Sequence, residues 1–188
     1  MLTAELNTFL EGITSTEEAA APISLEDLII QGESDELEFK SSLRWDYQEE
    51  HINRKLEEVI VKSVASFANS ESGTLLIGVD YEGAVLGLEN DYKSLDGGDR
   101  DKFELHLRNL MNKHLGVSYV STKLHTVFPS VGESEICKME IEPAGEPIVL
   151  TLPDHNGQPK EHFYVRNGNA SQELLVAEMG NCFKVRFG

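Results

Sequence analysis

Four carboxylates and one amine crowd the short stretch Gly32–Lys40: Glu33, Asp35, Glu36, Glu38 and Lys40. Carboxylates gathered in space bind hard cations such as Mg²⁺ or Mn²⁺ through oxygen. A bound ion of that kind activates water and offsets charge on a phosphodiester. Lys40 follows Glu38 by two residues, so on an extended strand the two share a face. An amine there can neutralise a phosphate or orient the attacking water, and restriction-type nucleases use a similar E-x-K arrangement. The plainer alternative is a solvated acidic edge that discourages strand aggregation. A second group is basic. Lys55 and Lys62 are seven residues apart, hence on one helix face, with Arg54 adjacent. Such a stripe can follow phosphates or simply be solvated. Arg166, just before Asn167-Gly168, is a third candidate, as a phosphate contact beside a tight turn.

Other chemistries lack their residues. The sequence has no Gly-Lys-Ser/Thr loop and no G-x-G-x-x-G, so nothing supports ATP or NAD binding by a standard loop. It has no G-x-S-x-G elbow. Six histidines occur without H-x-x-x-H spacing, and two cysteines, Cys137 and Cys182, cannot form a zinc knuckle or a disulfide framework. No zinc is expected, and the cysteines read as buried free thiols in a reducing compartment.

The elements that must position these residues follow from periodicity. Residues 1–22 read as an arm or linker, with a short helix over Ala4–Leu10 and an acidic, alanine-rich stretch ending at Pro22; residues 23–188 read as one domain. Ser24 with Asp27 predicts a capped helix through Leu28 and Ile29. Leu37–Leu43 alternates as a strand, with Leu37 and Phe39 on one face and Glu36, Glu38 and Lys40 on the other. Asn53 caps a helix running to about Asn69, with Leu56, Val59, Ile60, Val64 and Phe67 as its apolar stripe. Asn69 and Gly73 end it and begin a strand, Thr74–Val79, although Asn69 could instead orient a carboxylate. Asp80–Gly83 is a turn and Ala84–Leu88 its returning strand. A second helix uses Phe103, Leu107, Leu110, Met111 and Leu115 and stops at Gly116. Val117–Val127, Glu135–Glu142, Pro147–Leu152 and His162–Arg166 read as strands. Gln172–Phe187 is left open between helix and strand. The order predicts an α+β fold: a mixed, mostly antiparallel sheet packed with helices.

Charge bears on the partner. The net charge of −17 is unevenly spread: residues 1–40 hold ten acids against one base, and the rest of the chain 23 acids against 15 bases. Proteins that grip a phosphate backbone usually carry a basic face. The acidity therefore favours solubility, or a basic protein partner, over nucleic acid. No run approaches the roughly 20 apolar residues needed to span a bilayer. The N-terminus shows no basic-then-apolar signal pattern, so a cytoplasmic protein without membrane association is expected.

Three blocks carry a more specific signal: Gly32–Lys40 with its E-S and E-F-K, Phe67–Leu88 with F-A-N, L-L-I-G-V-D and V-L-G-L, and Tyr164–Asn169 with Y-V-R-N-G. Together they resemble the Schlafen AlbA-type domain over about Leu28–Glu173, with Ser72-Gly73 where that family often has paired glycines. The resemblance implies a single lobe of a Schlafen-like core and association with DNA or RNA, as in bacterial members described as DNA-binding or transcriptional regulatory domains. Animal relatives include metal-dependent endoribonucleases. Their motif carries over to Glu33, Glu38 and Asp80 as ligands of Mg²⁺ or Mn²⁺, with Lys40 beside them as a further catalytic residue. Arg54, Lys55, Lys62 and Arg166 are then the nucleic-acid contacts. Because those relatives clamp with two lobes and this chain has room for one, a homodimer is implied. Three functions thus stand in order: a nucleic-acid-binding regulatory domain, a metal-dependent endoribonuclease, and a protein-interaction module.

Overall fold

The computed structural model describes residues 23–188; the arm and short helix expected within residues 1–22 lie outside the described residues. At the centre is a four-stranded sheet. β1 (Leu37–Lys40) lies at one edge, parallel to β4 (Gly73–Ile77). β8 (Cys137–Ile141) is antiparallel to β4 and to the other edge strand, β5 (Leu124–Val127). Four antiparallel ribbons surround the sheet. They are β2 (Trp45–Asp46) with β3 (His51–Ile52) and β6 (Ser130–Val131) with β7 (Ser134–Glu135). The others are β9 (Leu150–Pro153) with β10 (Pro159–His162) and β11 (Tyr164–Asn167) with β12 (Ala170–Glu173). The described helices are α1 (Leu25–Gln31), α2 (Lys55–Ala68), α3 (Glu89–Lys93), α4 (Arg100–Leu115), α5 (Val117–Lys123) and α6 (Val176–Arg186). The fold is α+β, and its sheets are mixed and mostly antiparallel.

Burial explains the pattern in the central strand. β4 is apolar almost without break because both of its faces are covered. Leu75 and Ile77 join Ile60, Val64 and Phe67 of α2 and Phe103, Leu107 and Met111 of α4 in the larger core. Leu76 faces the other way and packs with Leu37, Phe39 and Ile29 in a smaller one. Each fully buried side chain of this size contributes about 1.5–3 kcal/mol. The helix ends are chemically marked. The Ser24 hydroxyl accepts from the Asp27 N–H at 3.1 Å and caps α1, and Asp99 accepts from the Lys102 N–H at 2.8 Å and caps α4. α4 stops at Gly116, whose φ of 89° suits glycine.

Several expected elements differ. The first strand ends at Lys40 rather than Leu43, because the chain turns away to wrap the Asp91 carboxylate. The α2 stripe is rotated: Val61, Ala65 and Ala68 are fully buried, whereas Val59 is 40% exposed. Ala84–Leu88 does not return as a strand; only Val79 and Val85 form a bridge after the Asp80 turn. Val117–Lys123 is helical, with strand confined to Leu124–Val127. The open segment Gln172–Phe187 divides into the end of β12 and α6. Among the described residues no helix is long and apolar enough to cross a membrane.

Candidate nucleic-acid interface

β1 alternates as its residues require, but neither face is open to water. With Leu37 and Phe39 turned to the smaller core, Glu38 points beneath α2 and is 6% exposed. A carboxylate so placed needs partners. Ser63 Oγ of α2 donates to it at 2.7 Å, and Lys40 Nζ lies 2.5 Å away. The Arg166 guanidinium donates to its other oxygen. Arg166 also donates to the backbone of the first block, reaching the Ser34 carbonyl at 2.9 Å and the Asp35 carbonyl at 3.3 Å. Its plane lies 4.3 Å from the centroid of the Phe67 ring, and its own N–H donates to Ser70 Oγ at 2.9 Å. The three sequence blocks thus meet at one ion pair. With its side chain 5% exposed, Arg166 is a buried fastener between the β11–β12 ribbon and the sheet edge. Arg166, expected as a phosphate contact, is placed in this ion pair with little of its side chain exposed.

The other acids are committed elsewhere. Glu33 Oε1 accepts from the Phe39 N–H at 2.8 Å, pinning the loop before β1. Asp80 Oδ1 accepts from the N–H groups of Glu82 and Ala84 at 2.9 and 2.8 Å, closing its own turn. Among the described residues no three His, Cys, Asp or Glu side chains come together so as to hold a metal ion. Two cations already flank Glu38. The donor set therefore does not fit a resident Mg²⁺ or Mn²⁺, and Glu33, Glu38 and Asp80 are not gathered as one ligand set. Lys40 and Asp80 do border a common groove, but Lys40 is turned to Glu38 and to the Phe39 carbonyl.

Asn69 and Gly73 serve packing. Asn69 does not orient a carboxylate: its amide donates to the Ile148 and Tyr164 carbonyls, both at 2.9 Å, and accepts from the Ile148 N–H at 2.8 Å. Gly73 is no turn glycine, since it opens β4 and a β-carbon there would collide with the Phe67 ring.

Sequence reasoning missed Asp91, which is 1% exposed. It accepts from the Ser42 hydroxyl at 2.8 Å and from the N–H groups of Leu43, Arg44 and Trp45 at 2.9, 2.9 and 3.2 Å. Burial pushes its carboxyl above the usual range, against the pull of those bonds. Arg44, also buried, pairs with Glu57 at 3.3 Å, and Glu57 meets His106 at 2.9 Å. Asp91 and its partners are more than 45 residues apart, and no local spacing signals such a contact. Together they fix the loop that carries Trp45.

The basic stripe lies on α2. Arg54 and Lys55 are exposed at its start, and Lys62 stands two turns along, its ammonium 5.8 Å from the centroid of the Tyr164 ring. Among the described residues none of the three forms an ion pair with a carboxylate. Lys55, Val59 and Lys62 follow i, i+4, i+7 spacing and share one face.

Comparison with known proteins bears on this arrangement. The family model described as Schlafen, AlbA_2 matches residues 33–175, which include all three blocks apart from Gly32 and stop short of α6. No curated protein matches. Among solved structures, the chain is similar to the crystal structure of the DIP2311 protein from Corynebacterium diphtheriae, with a TM-score of 0.52 and 19% sequence identity. That alignment covers 82% of this chain and 28% of the other, and at such identity the likeness is one of fold.

Proposed function

The chain belongs to the Schlafen, AlbA_2 family, and from that premise we propose that it is a nucleic-acid-binding domain that contacts phosphates through Arg54, Lys55 and Lys62 of α2. The observation that carries this reading is the cluster of three cations on the outer side of α2, which Glu58 shares without an ion pair to any of them. Those three cations are left without carboxylate partners among the described residues, in a chain with 33 acids and 16 bases. In so acidic a protein, three cations without ion-pair partners on and beside one helix face are the surface best suited to a polyanion. Arg166 and Lys40 play a different part: they neutralise Glu38 and hold the sheet edge on which α2 rests.

The reading does not include metal-dependent cleavage, because the three candidate ligands are spent on other donors. Nor does it set the biological role; action as a regulator and assembly into a homodimer are compatible with it and separate from it. The test is fluorescence-anisotropy titration of labelled DNA and RNA oligonucleotides, single-stranded and duplex, across a salt series. Counterion release predicts that log K falls linearly with log salt, with a shallow slope of about 2–3 for three contacts. Absence of binding to every probe at low salt overturns the proposal. Together with capture of a basic protein partner, that result would favour the protein-interaction reading that the net charge of −17 supports.

A further inference from the structure

Beside the basic stripe lies a groove of about 530 Å³, within the range of sites that hold small ligands. Three aromatic side chains line it: Trp45 from β2, Tyr47 just after it, and Tyr81 from the Asp80 turn. Val59 of α2 forms part of the wall, between Lys55 and Lys62 on the same helix face. Tyr81 is 79% exposed, which leaves most of its ring in water. The rest of the platform is held firmly. The Asp91 carboxylate and the Ser42 hydroxyl accept from the Trp45 backbone N–H, and Tyr47 is half-buried. The acids at the rim are tied down: Asp46 accepts from the N–H groups of Gln48 and Glu49 and from the Asn53 amide, and Asp80 closes its turn.

We infer that this groove takes unpaired nucleobases, stacked on Trp45 and Tyr81, while the adjoining cations of α2 hold the phosphates. The inference rests on the nucleic-acid reading and deepens it by naming single-stranded substrate. Aromatic rings at the edge of a cationic track are the chemistry of single-strand recognition. Every base has a π-face for them, whereas in a duplex those faces are occupied by neighbouring bases. A peptide would fill such a groove with apolar side chains, but it would leave the flanking lysines without function.

Trp45 is the sole tryptophan of the chain, so its emission reports this groove alone. The experiment titrates the full chain with oligo(dT), oligo(rU) and a duplex of mixed sequence, at low salt. It reads tryptophan quenching and, in parallel, anisotropy of the labelled oligonucleotide. The expected result is quenching by single strands with little by duplex, and binding weakened about tenfold in Tyr81→Ala, the loss of one stacked base. Tyr81 is exposed, so that variant should keep its fold, as circular dichroism will show; Trp45→Leu serves as the second variant. A preference for oligo(dT) or oligo(rU) separates DNA from RNA. Anisotropy showing tight binding with Trp45 emission unchanged, duplex equal to single strand and Tyr81→Ala at wild-type affinity would overturn the groove assignment while leaving the nucleic-acid reading intact. No binding to any probe would overturn both.

Discussion

Removing the Arg166 guanidinium would leave the Glu38 carboxylate buried with Lys40 as its one remaining cation. Breaking a buried pair from one side costs about 3–5 kcal/mol, because the surviving charge is stranded. Lys40 and the Ser63 hydroxyl soften the loss, so Arg166→Leu should fall near the lower end, about 3 kcal/mol. Urea unfolding measures this, and a loss under about 1 kcal/mol would mean the pair behaves as a surface salt bridge. Asp91 gives a second residue-scale expectation, with a definite sign. Burial raises its carboxyl above the ordinary value, so the folded state keeps a proton that the unfolded chain releases. Its contribution to stability is therefore full below the unfolded value and declines as pH rises toward the folded one. The stability gap between wild type and Asp91→Ala should narrow as pH rises above the ordinary carboxylate value of 3.8; a gap that widens would contradict the assignment. Neither role was visible in the sequence. Alternation along β1 separated Glu38 from Leu37 and Phe39 correctly, but it could not show that α2 covers the second face. The donors to Asp91 are contributed by a loop 46–49 positions away.

At the scale of elements, the strand–helix–strand unit formed by β1, α2 and β4 positions everything else. Its legibility was uneven for physical reasons. β4, α2 and α4 announced themselves through long apolar periodicities, and the caps at Ser24 and Gly116 fell where expected. α5 did not: Val117-Ser118-Tyr119-Val120 reads locally as strand, yet the segment is helical, and Tyr119 Oη reaches the Glu142 carbonyl at 2.7 Å. Tertiary contact overrides a weak β preference there. Gly73 was legible as the start of the strand, which it is, whereas its packing role was not. Its missing side chain makes room for the Phe67 ring, which in turn carries the Arg166 guanidinium. Gly73→Ala should therefore destabilise by about 1–3 kcal/mol through overpacking. Thermal unfolding checks it, and a wild-type midpoint would show that Phe67 repacks freely. The candidate site was half legible in the same way. Lys55 and Lys62 were picked out by helical spacing and Arg54 by adjacency, whereas the groove beside them depends on loops that meet only in the folded chain.

Across the whole molecule, the acidic body and the basic face of α2 set opposing demands. The net charge of −17 repels a polyanion at long range, so binding must rely on local cations and weaken readily with salt. The integrity of the body can be followed through its thiols. Cys137 is fully buried, and burial drives its thiol strongly upward, while Cys182 is part-exposed. Ellman's reagent should thus titrate Cys182 alone in the native protein and both in denaturant; rapid reaction of two native thiols would mean the β8 core is open. The most direct test of the account compares oligonucleotide binding by wild type and by Arg54→Glu/Lys55→Glu, both exposed positions, at matched low salt. The prediction is that the variant stays folded, loses at least about tenfold in affinity, and shows a salt slope shallower by about 2. Unchanged affinity and slope in a folded variant would show that the α2 face is not where nucleic acid binds.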